Sequence, residues 1–252
     1  MTVIMIGNQK GGIGKTTATL ELCYLFGQKY KVLGVDLDGS RNFSKSCGAA
    51  IEGVPTVRDV LNADCLIEEA IQNVGAFDVL PAHTKLADSA KEFCNPEDIY
   101  LLQQALSYTN YDYVFIDNAP ARSPLLNMAY VASDYCLALT DCDENSFDGI
   151  RNLNSDIVKF RKIKWTNMQF LGIILNKTEN TGAHKRAVEE LTEIAKECDT
   201  VLFESTLRKG IVVADSRKAR TSINDFDARS NLAKDYQALA NEIEKRIKKG
   251  AN

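Results

Sequence analysis

The stretch Gln9-Lys10-Gly11-Gly12-Ile13-Gly14-Lys15-Thr16-Thr17 constrains this chain more than any other. It follows a short apolar run, Val3-Ile4-Met5-Ile6-Gly7, that reads as a buried strand. It precedes a helical pattern starting near Thr16, with Leu20, Leu22, Cys23, Leu25 and Phe26 as the apolar residues. Strand, glycine-rich loop and helix together make the setting of a phosphate-binding loop. The glycines let successive backbone N–H groups turn inward on phosphates, and the helix N-terminus adds the positive end of its dipole. Lys15 supplies a point charge to the outer phosphates, and the Thr16 hydroxyl is placed to ligate Mg²⁺. The strict pattern G-x-x-x-x-G-K-[ST] fails by one residue, because Gln9 stands where its first glycine belongs. The competing reading, a glycine-rich turn with two solvated lysines, ignores the strand–helix context.

The remainder of the chain has the makings of a soluble domain around that loop. At 252 residues, 45% of them hydrophobic and 25% charged, it can bury a full core. No apolar run approaches the length of a bilayer span. Met1-Thr2 leads straight into the first strand, so no signal peptide is expected. Seven scattered cysteines without a C-x-x-C spacing suggest free thiols in a reducing cytoplasm. Residues 1–150 carry 10 Lys/Arg against 20 Asp/Glu, whereas residues 151–252 carry 20 against 14. The basic C-terminal part is either one face for a polyanion or an ordinary solvated surface.

Strand-like runs recur at Lys31–Asp36, Phe77–Leu80, Tyr113–Asp117, Tyr135–Leu139 and Phe170–Leu175, with Val201–Phe203 as a further short candidate. Helical patterns between them predict an α/β fold of one domain over residues 1–252, a mostly parallel sheet with helices on both faces. Ligands of such sheets bind beyond the strand C-termini. Asp36, Asp38, Asp117, Thr140 and Asn176 all fall on that rim, beside the loop.

The run Lys10-Gly-Gly-Ile-Gly-Lys15-Thr-Thr resembles the deviant Walker A motif of the ParA/MinD family of P-loop ATPases. The resemblance extends over nearly the whole chain, from Thr2 to about Ile247. It implies that Gly11, Gly12, Ile13, Gly14, Lys15, Thr16 and Thr17 hold ATP. It also implies that Lys10 reaches the nucleotide of a second subunit across a face-to-face dimer, making Lys10 and Lys15 catalytic. Asp36-Leu37-Asp38 occupies the family's switch I position, where Asp38 orients the attacking water and approaches the metal. The family's D-x-D-P-Q-G-N is here Asp36-Leu-Asp38-Gly-Ser-Arg-Asn42, and Asp38 with Ser40 could equally cap a helix. Arg41 is either a surface charge or a phosphate contact. Leu80-Pro-Ala-His-Thr-Lys-Leu86 is similar to a segment that shapes the family's dimer face. Tyr113–Asp117 resembles Walker B, placing the Asp117 carboxylate near Mg²⁺ together with Thr16 and Asp38. Asn118-Ala119-Pro120 keeps only the second proline of the family's x-P-P.

Asn176-Lys177 matches the family's adenine-reading asparagine. It is also similar to the N-K-x-D motif of GTPases, although Glu179 replaces the aspartate, which favours ATP. Thr206-Leu207-Arg208-Lys209-Gly210 corresponds to I-P-R-N, so Leu207 and Arg208 are expected beside the base. Arg208, Lys209, Arg217, Lys218, Arg220 and Arg229 fall where ParA proteins bind DNA. The resemblance thus implies a short ParA-type ATPase without an N-terminal DNA-binding extension, acting in plasmid or chromosome partitioning. It would dimerise on ATP, bind DNA nonspecifically, associate with the nucleoid and answer to a ParB-like stimulating protein. A MinD-like switch acting on membrane or protein cargo competes, as does a metabolic ATP-dependent enzyme on the same fold. Leu232, Tyr236, Leu239, Ala240, Ile243 and Ile247 form a stripe on the last helix that reads as core packing. The polar tail Lys248–Asn252 offers no membrane anchor.

Overall fold

A computed structural model describes residues 1–179 and 182–250. The apolar runs become strands β1 (Thr2–Gly7), β2 (Val32–Asp36), β3 (Gln72–Asn73), β4 (Asp78–Leu80), β5 (Tyr113–Asp117), β6 (Tyr135–Thr140) and β7 (Gln169–Leu175). They form one sheet in the order β3-β4-β2-β5-β1-β6-β7. Every neighbouring pair is parallel except β3 with β4 at one edge.

Both faces of the central strands are covered, which explains why they read as continuous apolar runs. Side chains alternate across β1. Ile4 and Ile6 enter the layer containing Leu20 and Leu22 of helix Lys15–Gly27 and Leu239 and Ile243 of helix Asn231–Gly250. Val3 and Met5 enter the opposite layer, with residues of helices Leu101–Ser107, Pro124–Ala132, Glu144–Lys162 and Gly182–Glu197. The stripe of the last helix is therefore core, with Leu239 and Ile243 both fully buried. Among the described residues no helix is long and apolar enough to cross a membrane. Ala251 and Asn252, the end of the polar tail, lie outside the described residues.

The candidate strand at Val201–Phe203 is reduced to a single bridge between Leu202 and Ile173. Its Phe203 ring packs directly over Gly172 of β7, where any Cβ would collide with it. Two backbone bonds with Ile173, together with packing of that ring, fix the segment. Chain order reverses at β1, which has β5 on one side and β6 on the other. The loop after β1 therefore opens into the crevice where such sheets take ligands.

Candidate functional site

The loop from Asn8 to Gly14 is held from below by side chains that converge on it from three strand ends. Asn8 leaves β1 buried, its Nδ2 donating to the carbonyls of Leu139 (2.9 Å) and Ser146 (3.2 Å). Its Oδ1 accepts from the Lys10 N–H at 3.0 Å, which sets the first turn of the loop. From the end of β7, Asn176 donates through Nδ2 to the Ile13 carbonyl (2.7 Å), and the Lys177 ammonium donates to the Gly12 carbonyl (2.6 Å). After β5, Asn118 donates to the Ile6 carbonyl at 3.0 Å. The bonds from Asn176 and Lys177 satisfy the Ile13 and Gly12 carbonyls of the loop, while those from Asn8 and Asn118 fix the strand ends beneath it.

Gly14 caps the helix Lys15–Gly27 at φ 101°, in the left-handed region, and among the described residues no side-chain cap bonds its first turn. A Cβ at Gly14 would stand 2.5 Å from Asn176 Nδ2, so glycine is required on both backbone and packing grounds. An open helix start with free donors suits an anion. Gly149 has a similar duty at a distance, since a Cβ there would run into Asn8 Oδ1. Gly149→Ala is expected to push Asn8 off its carbonyls and to destabilise the protein by about 1–3 kcal/mol, the usual cost of overpacking. Thermal melting checks this, and an unchanged midpoint would remove Asn8 from the scaffold of the loop.

A cleft of about 380 Å³ opens above the loop. It is lined by Gly11, Gly12, Gly14, Lys15, Thr16, Thr17, Asp38, Asn42, Asn118, Pro120, Lys177, Val213 and Arg217. Lys15 is 6% exposed, and its ammonium donates to the Lys10 carbonyl at 3.0 Å. Burial lowers its pKa from the usual lysine value, and the charges of Asp117 and Asp38 counteract this only in part. Asp117, fully buried at the end of β5, accepts from the Thr16 hydroxyl through Oδ2 at 2.8 Å. Its Oδ1 is buried without a partner among the described residues. Burial, reinforced by the neighbouring Asp36, pushes the Asp117 carboxyl well above the ordinary carboxylate range. A buried carboxylate oxygen with no donor, next to a threonine hydroxyl, is a fitting ligand pair for a hard cation.

The Asp36-Leu37-Asp38 turn divides its labour. Asp36 accepts from the Ser44 N–H (2.9 Å) and hydroxyl (2.7 Å), and Ser44 Oγ in turn accepts from the Ala82 N–H (3.1 Å). The Leu80–Leu86 segment is tied to the turn in this way. Asp38 closes a local turn, accepting from the Ser40 N–H at 2.8 Å, and lines the cleft; the helix that follows, Asn42–Cys47, has Arg41 at its N-cap and no side-chain cap bond, so Asp38 and Ser40 are not its cap. Gly39 lies against the backbone of Ala87, leaving no room for a larger residue. Arg41 turns away from the cleft, donating to the Ile51 carbonyl (3.0 Å) and to Glu52 (2.6 Å).

Lys10 faces two carboxylates of its own chain, Asp143 at 2.9 Å and Asp141 at 3.2 Å. Burial opposes its charge, but hydrogen bonds and attraction from Asp143 and Asp141 outweigh that and hold its pKa above the usual value. Ile13 is buried in the core at 1% exposure, so its backbone is what it presents to the loop. Both ends of the Asn176 amide are engaged by protein, Oδ1 accepting from the Lys177 N–H at 2.8 Å. Leu207 is wholly buried and joins β7 by donating its N–H to the Leu175 carbonyl. Arg208 is fixed to Asp235 by two bonds of 2.6 and 2.9 Å, and Lys209 pairs with Glu179 at 3.0 Å. Lys218, Arg220 and Arg229 are exposed, and no ion pair holds them among the described residues. Arg217, by contrast, donates to the Thr17 hydroxyl and belongs to the cleft. Sequence reasoning missed Asn8, Ser44, Asn118 and Gly149 as site-building residues; only the placement of Asn8 between strand and loop gave a signal.

Known proteins are similar to this chain in sequence and fold. The family model described as an AAA domain matches residues 1–171. The sporulation initiation inhibitor protein Soj of Bacillus subtilis is 27% identical, the match covering 96% of this chain and 97% of that protein. The chromosome-partitioning ATPase Soj of Thermus thermophilus is 26% identical, over 97% of this chain and 96% of its own. Among solved structures, a complex of Cyanothece McdA with ATP superposes with a TM-score of 0.87 at 16% identity, covering 98% of this chain and 96% of that one.

Proposed function

We propose, from the premise that this chain belongs to the ParA/MinD-type AAA domain family, that it is an ATPase whose ATP-bound form pairs two copies and holds DNA without reading its sequence. The observation that carries the reading is the convergence of Lys15, Thr16 and Asp38 on one cleft above an open helix N-terminus, with the buried Asp117 bonded to Thr16. ATP with Mg²⁺ fits that set. The loop N–H groups bind and orient the phosphates, and Lys15 offsets charge on the outer two. Thr16 and Asp117 are the groups that would hold Mg²⁺, which when bound stabilises charge developing on the transferred phosphoryl group. Asp38, at the mouth of the same cleft, orients water toward the terminal phosphate. Lys10 leaves Asp141 and Asp143 to reach the nucleotide of the second copy, so pairing depends on ATP.

The likeness to a chromosome-partitioning ATPase supports a partitioning role. The outward cations Lys218, Arg220 and Arg229 support DNA as the matrix, gripped through phosphates. Anisotropy of a random-sequence duplex, titrated with protein in Mg-ATP and in Mg-ADP, tests this. Binding is expected with ATP only and to weaken with salt. Lys218→Ala with Arg220→Ala is expected to lower the salt slope by roughly 1 for each phosphate the variant no longer neutralises. Absence of binding in both nucleotides would transfer the reading to a switch on protein or membrane cargo. Lys10→Ala is expected to abolish ATP-driven pairing in light scattering after gel filtration; a variant that still pairs would remove Lys10 from the interface.

A further inference from the structure

Arg217 differs from the basic residues around it. It rises from the helix Val212–Ala219, whose neighbouring Lys218 points to solvent, and its own guanidinium turns inward to the Thr17 hydroxyl. It therefore forms part of the wall of the loop cleft, together with Val213 of the same helix. Its Nε–H is buried and has no acceptor among the described residues. Glu21, a carboxylate within reach of its charge, is already engaged, both oxygens accepting from the Ile223 N–H at 2.9 and 3.1 Å. No ion pair joins Glu21 to Arg217 among the described residues. A guanidinium stays charged at any physiological pH and presents five donors in a fixed fork. Here one donor reaches a neutral hydroxyl, one is buried and unmatched, and the charge faces a cleft whose floor is built for anions.

We infer that Arg217 is a nucleotide-binding residue that contacts the phosphate nearest the sugar, making it part of the ATP site rather than of the DNA face. The inference rests on the reading of the cleft as a nucleotide site. The choice of phosphate follows from position along the helix. On that reading Lys15, Thr16 and Asp38, with Asp117 behind Thr16, mark the end for the outer phosphates and metal, and Arg217 enters through Thr17, one residue further along the helix. Val213 extends the same wall, offering an apolar surface beside the sugar. Through this contact a single helix presents Lys218 outward to a polyanion and Arg217 inward to the nucleotide.

The test is titration of fluorescent methylanthraniloyl-ATP and methylanthraniloyl-ADP into the full-length wild type, Arg217→Ala, Arg217→Gln and Arg217→Lys. Arg217→Ala and Arg217→Gln are expected to weaken both nucleotides by the same factor, about ten- to a hundredfold, the worth of a charge-assisted hydrogen bond. Arg217→Lys keeps the charge without the fork and recovers part of the loss. Melting of the nucleotide-free variants checks folding; Arg217→Gln retains an amide donor for Thr17 and keeps the test valid if Arg217→Ala melts early. Unchanged affinity for both nucleotides in a wild-type-like fold overturns the assignment while leaving the nucleotide site intact. A loss confined to the ATP analogue places the guanidinium at the terminal phosphate and also overturns it. Failure of the wild type to bind either nucleotide overturns the underlying reading, and this assignment with it.

Discussion

Lys15→Ala is expected to lose at least about a thousandfold in affinity for Mg-ATP, and hydrolysis with it. One unit charge about 4 Å from another is worth roughly 4 kcal/mol at the effective dielectric of a partly buried site, which is about a thousandfold in binding. Lys15 meets the conditions for that full value. It is 6% exposed, so water screens it little, and among the described residues its ammonium bonds only the Lys10 carbonyl, an interaction that phosphate oxygens can replace. Burial lowers its pKa, yet the carboxylates Asp117 and Asp38 act the other way and favour the charged form. Truncation also removes a cation that interacts favourably with Asp117 and Asp38, leaving the cleft less receptive to an anion. Lys15→Arg does not restore binding, because a planar fork cannot occupy the space of a compact ammonium under the loop. Isothermal calorimetry with Mg-ATP decides; a variant within tenfold of wild type would show that the loop N–H groups bind the phosphates alone.

The parts of this molecule that the sequence exposes are those whose cause is local. Strands β1, β2, β5, β6 and β7 are buried on both faces, so apolar runs announce them. Strand β3 has no such mark: it is two polar residues, Gln72-Asn73, held to β4 at the sheet edge with an Asn73–Asp78 side-chain bond of 2.7 Å. Lys15, Thr16 and Asp117 could be singled out in the sequence because each belongs to a local motif beside a strand end. Asn8, Ser44 and Asn118 could not, since each works by meeting a backbone group that strand order brings to it. The adjacent strands β1, β5 and β6 are far apart in the chain, and no spacing in the sequence encodes that an asparagine at one end will reach a carbonyl at another. Charge is legible only as a sum. The basic C-terminal part contains cations turned outward, cations paired with Asp235 or Glu179, and one turned into the cleft. Arg217 and Lys218 are neighbours on the helix Val212–Ala219, which packs against the helices Ile223–Phe226 and Asn42–Cys47, and their opposite directions are a tertiary fact.

Asp117→Asn is expected to make the nucleotide-free protein harder to melt at pH 8 and to abolish its use of magnesium. Burial, and then the charge of Asp36, raise the folded-state pKa of Asp117, while the bond from Thr16 and the charge of Lys15 compensate only in part. In the unfolded chain the same carboxyl titrates near 4. As pH rises above that value the unfolded state releases its proton first, so between the two pKa values the folded state holds more protons. Stability therefore falls with rising pH through that window, up to the raised folded pKa, and is highest on the acid side. Asparagine keeps the shape, has no proton to lose and removes this slope. At pH 8 the variant should melt a few degrees above wild type, since each kilocalorie shifts the midpoint of a domain this size by about 2–4 °C. The gain disappears near pH 4, where both proteins are neutral at this position. Function moves the other way. A neutral amide is a poor ligand for a hard cation, so Mg²⁺ should no longer tighten ATP binding, and hydrolysis should drop at least about a hundredfold, as when an electrostatic stabiliser is removed. In the wild type the same linkage makes Mg-ATP binding release a proton and weaken on acidification. Scanning calorimetry at pH 5 and pH 8, with and without Mg-ATP, reads both halves. A variant that melts below wild type at pH 8, or still hydrolyses ATP at the wild-type rate, would show that the buried oxygen of Asp117 is neither a strained charge nor the metal's ligand.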